Sequence, residues 1–189
     1  ALTACNRTSA NYCIESGTLI NTPSGHRPIE SLAAGDEVLS RDSRGSTTSR
    51  VHTTCSAIAG NLFILTLEDG RTLHATGVHP IGTSTGWVSV SQLTPGTMIL
   101  TDTGNSRLAS IMAESRSARV FDLTVIPAGN FFAGGFLVHN KTVAEPPTMT
   151  QAAGTWAGYS NAGNFLRLDL NADGTGTISS GTYLPQSLI

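Results

Sequence analysis

The chain has 189 residues, enough for a sizeable core and the right size for one domain plus a fragment. Eleven Lys and Arg face 13 Asp and Glu, and a net charge of −2 leaves no field with which to gather nucleic acid or an anionic membrane surface. Hydrophobic residues make up 39% of the chain but stand in short runs, far below the ~18 consecutive apolar positions a spanning helix needs.

No basic-then-apolar leader pattern opens the chain. The three cysteines, Cys5, Cys13 and Cys55, are an odd number, so one thiol stays unpaired within the chain and a disulfide framework is not expected. Neither Cys-x-x-Cys nor His-x-x-x-His spacing occurs, which argues against a structural metal site. In chain order, "TLINT" (18–22), "DEVLS" (36–40) and "SRVHTT" (49–54) have the short β-prone make-up of strands. Between the first two, "IESLAAG" (29–35) suits a short helix. "LFILTLEDGRTLHAT" (62–76) places two β-prone runs around Asp69-Gly70, a strong hairpin signal. "WVSV" (87–90), "TMILT" (97–101), "RVFDLTV" (119–125) and "GGFLVH" (134–139) continue the series. "RLASIMAE" (107–114) reads as a strand, with a helix over 108–116 as its alternative. Many brief strands at even spacing predict an all-β fold, and no internal repeat with a fixed period is legible.

After Asn140, "KTVAEPPTMTQAAG" (141–154) reads as a linker, and "GTWAGY" with "FLRLDLNADGTGTISS" begins another β module. Asp169, Asn171 and Asp173 match the first half of a calcium loop, but its twelfth position is Ser180 where a Glu is required, so a hairpin tip is expected.

Three stretches carry nucleophiles and bases. The first, "YCIESGTLINTPSGHRPIESLAAGDEVLSRD" (12–42), opens on Cys13. The second, "GRTLHATGVHPIGT" (70–83), holds Thr76-x-x-His79, and the third, "VFDLTVIPAGNFFAGGFLVHN" (120–140), holds Asp122 and ends on His139-Asn140. Each has a plain structural explanation. A lone Cys packs as a small hydrophobe, His79-Pro80 ends a strand, Asp122 faces solvent, and His-Asn makes a turn. Phe131 and Phe132 are expected in the core, and His26, His52 and His74 as structural or solvent-facing.

At these stretches the chain resembles the Hint superfamily, the fold shared by inteins, bacterial intein-like domains and the hedgehog autoprocessing domain. The signals fall in order: Cys13 followed by "GDEVLS", Thr76-x-x-His79-Pro80, "VFDLTV", and "NFFAGGFLVHN". The resemblance implies an all-β horseshoe over residues 13–140, with 1–12 and 141–189 as flanks of a host protein, and it brings the first Cys and last Asn together. Residues 80–119 alone separate the second and third stretches, which leaves no room for a homing endonuclease. The implied activity is self-catalysed splicing or autoproteolysis by a monomer acting on its own flanks. No cofactor, metal, nucleic acid, membrane or partner is implied, and the host is expected to be exported or at the cell surface.

The resemblance also implies roles. Cys13 attacks the Tyr12 carbonyl and converts the amide to a thioester, with His79 delivering a proton, Thr76 hydrogen-bonding beside the bond and Asp122 relaying or orienting. Asn140 cyclises onto its own carbonyl with help from His139 and expels Lys141. One departure matters: inteins place Cys, Ser or Thr after that Asn, and Lys141 has neither thiol nor hydroxyl, while Thr142 is one residue late. Cleavage, or joining by the Lys141 amine, is therefore expected over efficient transesterification. Cys5 is a candidate redox partner that would block the Cys13 thiolate through a disulfide, and Cys55 is expected to be packed. The rival reading is a β-rich binding or surface-display module with an inactive Hint core.

Overall fold

The alternation of apolar and polar residues resolves into strands almost throughout. The computed structural model describes residues 3–4, 12–140, 154–159, 164–171 and 175–182, in two compact units, Ala1–Thr142 and Val143–Ile189. In the first unit the strands are β1 (Thr3–Ala4), β2 (Ile14–Glu15), β3 (Leu19–Thr22), β4 (Gly25–Pro28), β5 (Glu37–Asp42), β6 (Gly45–Ala59), β7 (Leu62–Leu67) and β8 (Thr72–Ala75). They continue with β9 (Pro80–Thr83), β10 (Gly86–Ser89), β11 (Met98–Thr101), β12 (Gly104–Glu114), β13 (Ala118–Ile126), β14 (Asn130–Ala133) and β15 (Phe136–His139). Short 3-10 turns, Ile29–Ser31 and Val90–Gln92, follow β4 and β10.

These strands form one open sheet in the order β1-β6-β13-β2-β8-β7-β12-β11-β9-β15-β14-β3-β4, with β5 on β6 and β10 on β9. The long strands make the corners: β6 pairs β5 through Gly45–Arg50 and then β13 as far as Ala59. In the same way β12 pairs first with β11 and then with β7. Ile14, Ile20, Leu65, Leu73, Ile81, Ile99, Phe131 and Phe136 are fully buried. Each contributes about 1.5–3 kcal/mol by leaving water. The turn between β14 and β15 is Gly134-Gly135, with φ of 57° and 82°, a conformation that L side chains rarely adopt.

Neither expected helix forms, and among the described residues there is no α-helix. Of "IESLAAG", only Ile29–Ser31 winds, and Leu32 is already extended. Residues 108–114 are strand, paired to β7. A bulge between Leu108 and Ser110 shifts the alternation, so Leu108 and Ile111 both reach the core. That spacing of three is what imitates a helix in the sequence.

The structure also contains a repeat that the sequence hides. Backbone features recur 61 residues apart: β3 starts at 19 and β9 at 80, β4 at 25 and β10 at 86. Thr22 Oγ1 donates to Gly25 O and Thr83 Oγ1 to Gly86 O, both at 2.7 Å. Leu32 N–H donates to Ile29 O and Leu93 N–H to Val90 O. Gly35 and Gly96 donate to Val51 O and Leu108 O. The β14–β15 hairpin lies between the copies, Ala133 paired with Ile20 and Val138 with Ile81.

In the second unit β16 (Gly154–Tyr159), β17 (Asn164–Leu170) and β18 (Gly176–Thr182) form an antiparallel meander. Asn171 N–H donates to Thr175 O and its side chain to Thr175 Oγ1, closing the expected hairpin tip. Asp173 lies outside the described residues.

Candidate active site

The upstream junction is held by a strand of two residues. β2 slots between β13 and β8, with Ile14 paired to Phe121 and to Ala75. The Glu15 carboxylate anchors it, accepting from both terminal nitrogens of Arg116 (2.6 and 2.8 Å) and meeting His74 Nδ1 at 2.6 Å. Immediately before it, Cys13 is fully buried among Ala59, Leu62, Ala118 and Val120.

Thr76 brackets the backbone of Cys13. Its hydroxyl accepts the Cys13 N–H at 2.9 Å and donates to the Cys13 carbonyl at 3.2 Å, while its own N–H donates to that carbonyl at 2.9 Å. The nitrogen of the Tyr12-Cys13 amide is thereby fixed. Burial, with the Asp122 charge adding to it, pushes the Cys13 thiol up to about 12, against an opposing hydrogen bond from the Tyr12 backbone. Asp122 itself is 4% exposed, so the solvent-facing explanation is overturned.

A tight turn explains the Thr-x-x-His spacing, because His79 N–H donates to Thr76 O at 3.0 Å. His79 is fully buried and, among the described residues, neither ring nitrogen has a hydrogen-bond partner. Burial pulls its pKa down to about 4. The Tyr12 backbone favours the charged ring, and His139 opposes the charge. The ring thus responds to both the Tyr12 backbone and His139.

At the downstream junction β15 ends on His139, whose Nδ1 lies 2.5 Å from the Asn140 carbonyl oxygen. A carbonyl only accepts, so this nitrogen carries the hydrogen. Asn140 is 4% exposed and its N–H donates to Gly129 O at 3.0 Å. Gly129 has φ +68°, and a Cβ there would meet Asn140 Oδ1 and the His139 ring at 3.7 Å. The His139 ring contacts Trp87 in a T-shaped pair, 4.7 Å between centroids.

Thus Cys13, Thr76 and Asp122 gather at one side of the arrangement and His139 and Asn140 at the other, with His79 between them. Lys141 and Cys5 lie outside the described residues. The cysteine expectation needs correction: Cys55 is disulfide-bonded and Cys13 keeps its thiol, so a Cys5-Cys13 disulfide is not formed. Sequence reasoning passed over Arg116, Gly129 and Trp87. Arg116 meets Glu15 across 101 positions, a pairing with no local signal.

A sequence model of the pretoxin HINT domain matches residues 19–144, about two-thirds of the chain, starting after Cys13. No curated protein matches. Among solved structures, the bacterial intein-like domain from Clostridium thermocellum is 25% identical, with a TM-score of 0.64, over 68% of this chain and 99% of that one. The gp41-1 intein (24% identity, TM-score 0.61) is covered to 98% by 68% of this chain. A DnaB intein from Synechocystis sp. PCC 6803 (24% identity, TM-score 0.60) is covered to 99% by 69% of it. The last two likenesses speak for the fold alone. With the four-part sequence pattern, the all-β sheet and the family match in agreement, the chain belongs to the pretoxin HINT domain family, whose Hint fold supports autoprocessing or splicing in general.

Proposed function

We propose that the chain processes its own backbone at Tyr12-Cys13, through a thioester, and at Asn140-Lys141, through a succinimide. The observation that carries this reading is His79, a buried imidazole with no hydrogen-bond partner among the described residues, influenced by the Tyr12 backbone and by His139. Leaving such a group unpaired costs the fold stability. Reacting groups at both neighbouring junctions give it a use.

In the first step Cys13 Sγ bonds to the Tyr12 carbonyl carbon through a five-membered ring, and the carbon–nitrogen bond breaks. The thiol loses its proton and the Cys13 nitrogen gains one, so the step is a balanced isomerisation. A thiol with its pKa raised to about 12 is protonated at neutral pH and needs a base in place. Asp122, whose charge acts on it, takes that proton. His79, neutral above about pH 4, receives that proton from Asp122, hands one to the departing nitrogen and ends neutral. Thr76 holds that nitrogen's N–H while the planar amide is broken.

In the second step Asn140 Nδ2 bonds to its own backbone carbonyl carbon and the bond to the Lys141 nitrogen breaks; Nδ2 loses one proton and the departing nitrogen gains one, leaving as an amine. An amide nitrogen is a poor nucleophile, so the step depends on fixed geometry, worth about 7 kcal/mol or more in favourable cases. His139 Nδ1–H, donating to the reacting oxygen, supports the charge that develops there. Lys141 offers no hydroxyl or thiol, so the thioester passes to water, giving cleavage, or to the Lys141 amine, giving a joined product.

Intact mass of the full chain beside Cys13→Ala and Asn140→Ala variants tests this. Hydroxylamine, which attacks thioesters, should release residues 1–12 from the native and Asn140→Ala proteins but not from Cys13→Ala. Residues 141–189 should leave the native and Cys13→Ala proteins only. A product joining 1–12 to 141–189 shows splicing. Three chains that all stay intact would sink the reading.

A further inference from the structure

We infer that Trp87 is a positioning residue for His139 in the downstream cleavage, an assignment that rests on the self-processing reading above. Trp87 is on β10 and 44% exposed, an unusual place for an indole with no packing duty in the core. Its ring lies 4.7 Å from that of His139, with the planes at 80°, the edge-to-face arrangement aromatic rings prefer.

The register explains how a hairpin residue reaches β15. Trp87 is opposite Gly82 on β9, and β9 pairs with β15 through Ile81 and Val138. Gly82, Trp87, Leu137 and His139 therefore share one face of the sheet. Gly82 has no side chain to stand between them; a Cβ there would lie 3.0–3.2 Å from Leu137. The indole crosses β9 at this gap and meets the imidazole diagonally. The hairpin itself does not call for Trp. In the other copy of the repeat the same position is His26, opposite Asn21, and it is exposed.

What Trp87 does there follows from the rotor it touches. His139 assists only when Nδ1 points at the Asn140 oxygen, and a half-turn of the ring would present carbon instead. Gly129 approaches the Cε1–Nε2 side of the ring. Trp87 adds a second wall, so fewer ring orientations compete with the productive one. Its effect is confined to the downstream junction, because Thr76 and Asp122 serve the upstream one.

The experiment uses the full chain carrying Trp87→Ala or Trp87→Phe. Loss of one aromatic wall should slow Asn140-Lys141 cleavage about tenfold in Trp87→Ala, while Trp87→Phe stays within about threefold of the native rate. Hydroxylamine release of residues 1–12, read in an Asn140→Ala background, should be unchanged by either substitution. In that same background, without hydroxylamine, Trp87→Ala should shift the His139 ring-proton resonances by removing the indole ring current. Equal slowing at both junctions, or a Phe no better than Ala, overturns the inference in favour of general packing. So does an unshifted His139 spectrum. A native chain that never cleaves at Asn140 overturns the processing reading; a cleaving chain indifferent to Trp87 overturns this inference alone.

Discussion

The two copies of the repeat, Leu19–Val51 and Pro80–Leu108, share a backbone and use it differently. In the first, Ile29 N–H donates to Thr18 O at 2.9 Å; in the second, Val90 N–H donates to His79 O at 3.0 Å. Thr18 and His79 are thus equivalent positions. Thr18 spends its hydroxyl locally, on Glu15 O at 2.8 Å, and is half-buried. His79 is sealed from water with no hydrogen-bond partner among the described residues. The same contrast recurs one hairpin later, where exposed His26 matches Trp87, which leans on His139. The skeleton is stable with quiet residues at these places. The second copy gives up some of that quiet to hold groups that the proposed reaction would use.

The sharpest way to break this comparison is to make the same change in both copies. Removing a positioned general acid or base costs about 10²–10⁴-fold in rate. His79→Ala should therefore cut hydroxylamine-dependent release of residues 1–12 by about two to four orders of magnitude. Thr18→Ala, at the matching position, should leave that release within about threefold, since it loses one partly exposed hydrogen bond. Comparable losses from the two substitutions would mean the copies are not specialised as argued.

Stability against pH should show the cost of the specialisation. The His79 pKa is lowered to about 4, so its contribution is present above the unfolded value of 6.5 and is lost as pH falls through about 4. The Cys13 pKa is raised to about 12, so its contribution is present below about 9 and is lost as pH rises through about 12. The carboxylates with lowered pKa, Glu15 and Asp69 among them, weaken the fold only below about 4.5. In the Asn140→Ala protein, which should keep residues 141–189, denaturant unfolding should lose roughly 3 kcal/mol to His79 between pH 6.5 and about 4. His79→Gln should flatten that acid limb, and Cys13→Ala the alkaline one. An acid limb that survives His79→Gln would reassign the burial cost to another group.

Much of this was legible in the sequence and some could not be. Asp69-Gly70 and Gly134-Gly135 mark their turns because the backbone there demands glycine, with φ of 86° and 82° at Gly70 and Gly135. The candidate reactive residues could be named from the sequence because few residue types can do the proposed chemistry. The repeat was not. "GHRPIESL" (25–32) and "GWVSVSQL" (86–93) keep only the first Gly and last Leu at their ends, since a shared backbone constrains turns and buried anchors and little else. Glu15 and Arg116 meet through the sheet across 101 positions, and the Cys55 disulfide likewise depends on tertiary placement. Residues 108–116 misled because a bulge gave a strand the spacing of a helix.

A smaller effect tests the hairpin between the copies. Asn130 and His139 are paired across β14 and β15. Asn130 ties that end to the first copy: its Oδ1 accepts Arg41 N–H at 2.8 Å, and its Nδ2 donates to Arg41 O and Ala128 O, both at 2.9 Å. Asn130→Ala leaves these backbone groups without their partner, at about 2–3 kcal/mol. The unfolding midpoint should fall accordingly. Cleavage at Asn140 should fall with it, because the strand paired with His139 loses its side-chain anchor to the first copy. A full loss of stability with unchanged cleavage would show that the two ends of the hairpin are uncoupled.

The smallest effect comes from exchanging solutions that the copies found independently. After each 3-10 turn the chain bends back, and the residue closing the bend is Asp36 in one copy and Thr97 in the other. Asp36 accepts Ala33 N–H at 2.9 Å and pairs with Arg27 at 3.2 Å, and the Ala33 N–H is the main influence holding its carboxyl below the usual range. Thr97 accepts Thr94 N–H at 3.4 Å and returns a hydrogen bond to Thr94 O at 2.7 Å. The backbone bonds are common to both, Asp36 N–H to Ala33 O and Thr97 N–H to Thr94 O, each at 3.1 Å. Asp36→Thr therefore substitutes one working closure for another and gives up an exposed ion pair. Exposed pairs contribute about 0–1 kcal/mol, so stability should fall by less than about 1 kcal/mol, and less still in high salt. A loss of several kcal/mol on unfolding in denaturant would mean that the copies share hydrogen-bond partners without sharing the geometry of the bend, and the equivalence of Thr18 with His79 would then lose its footing.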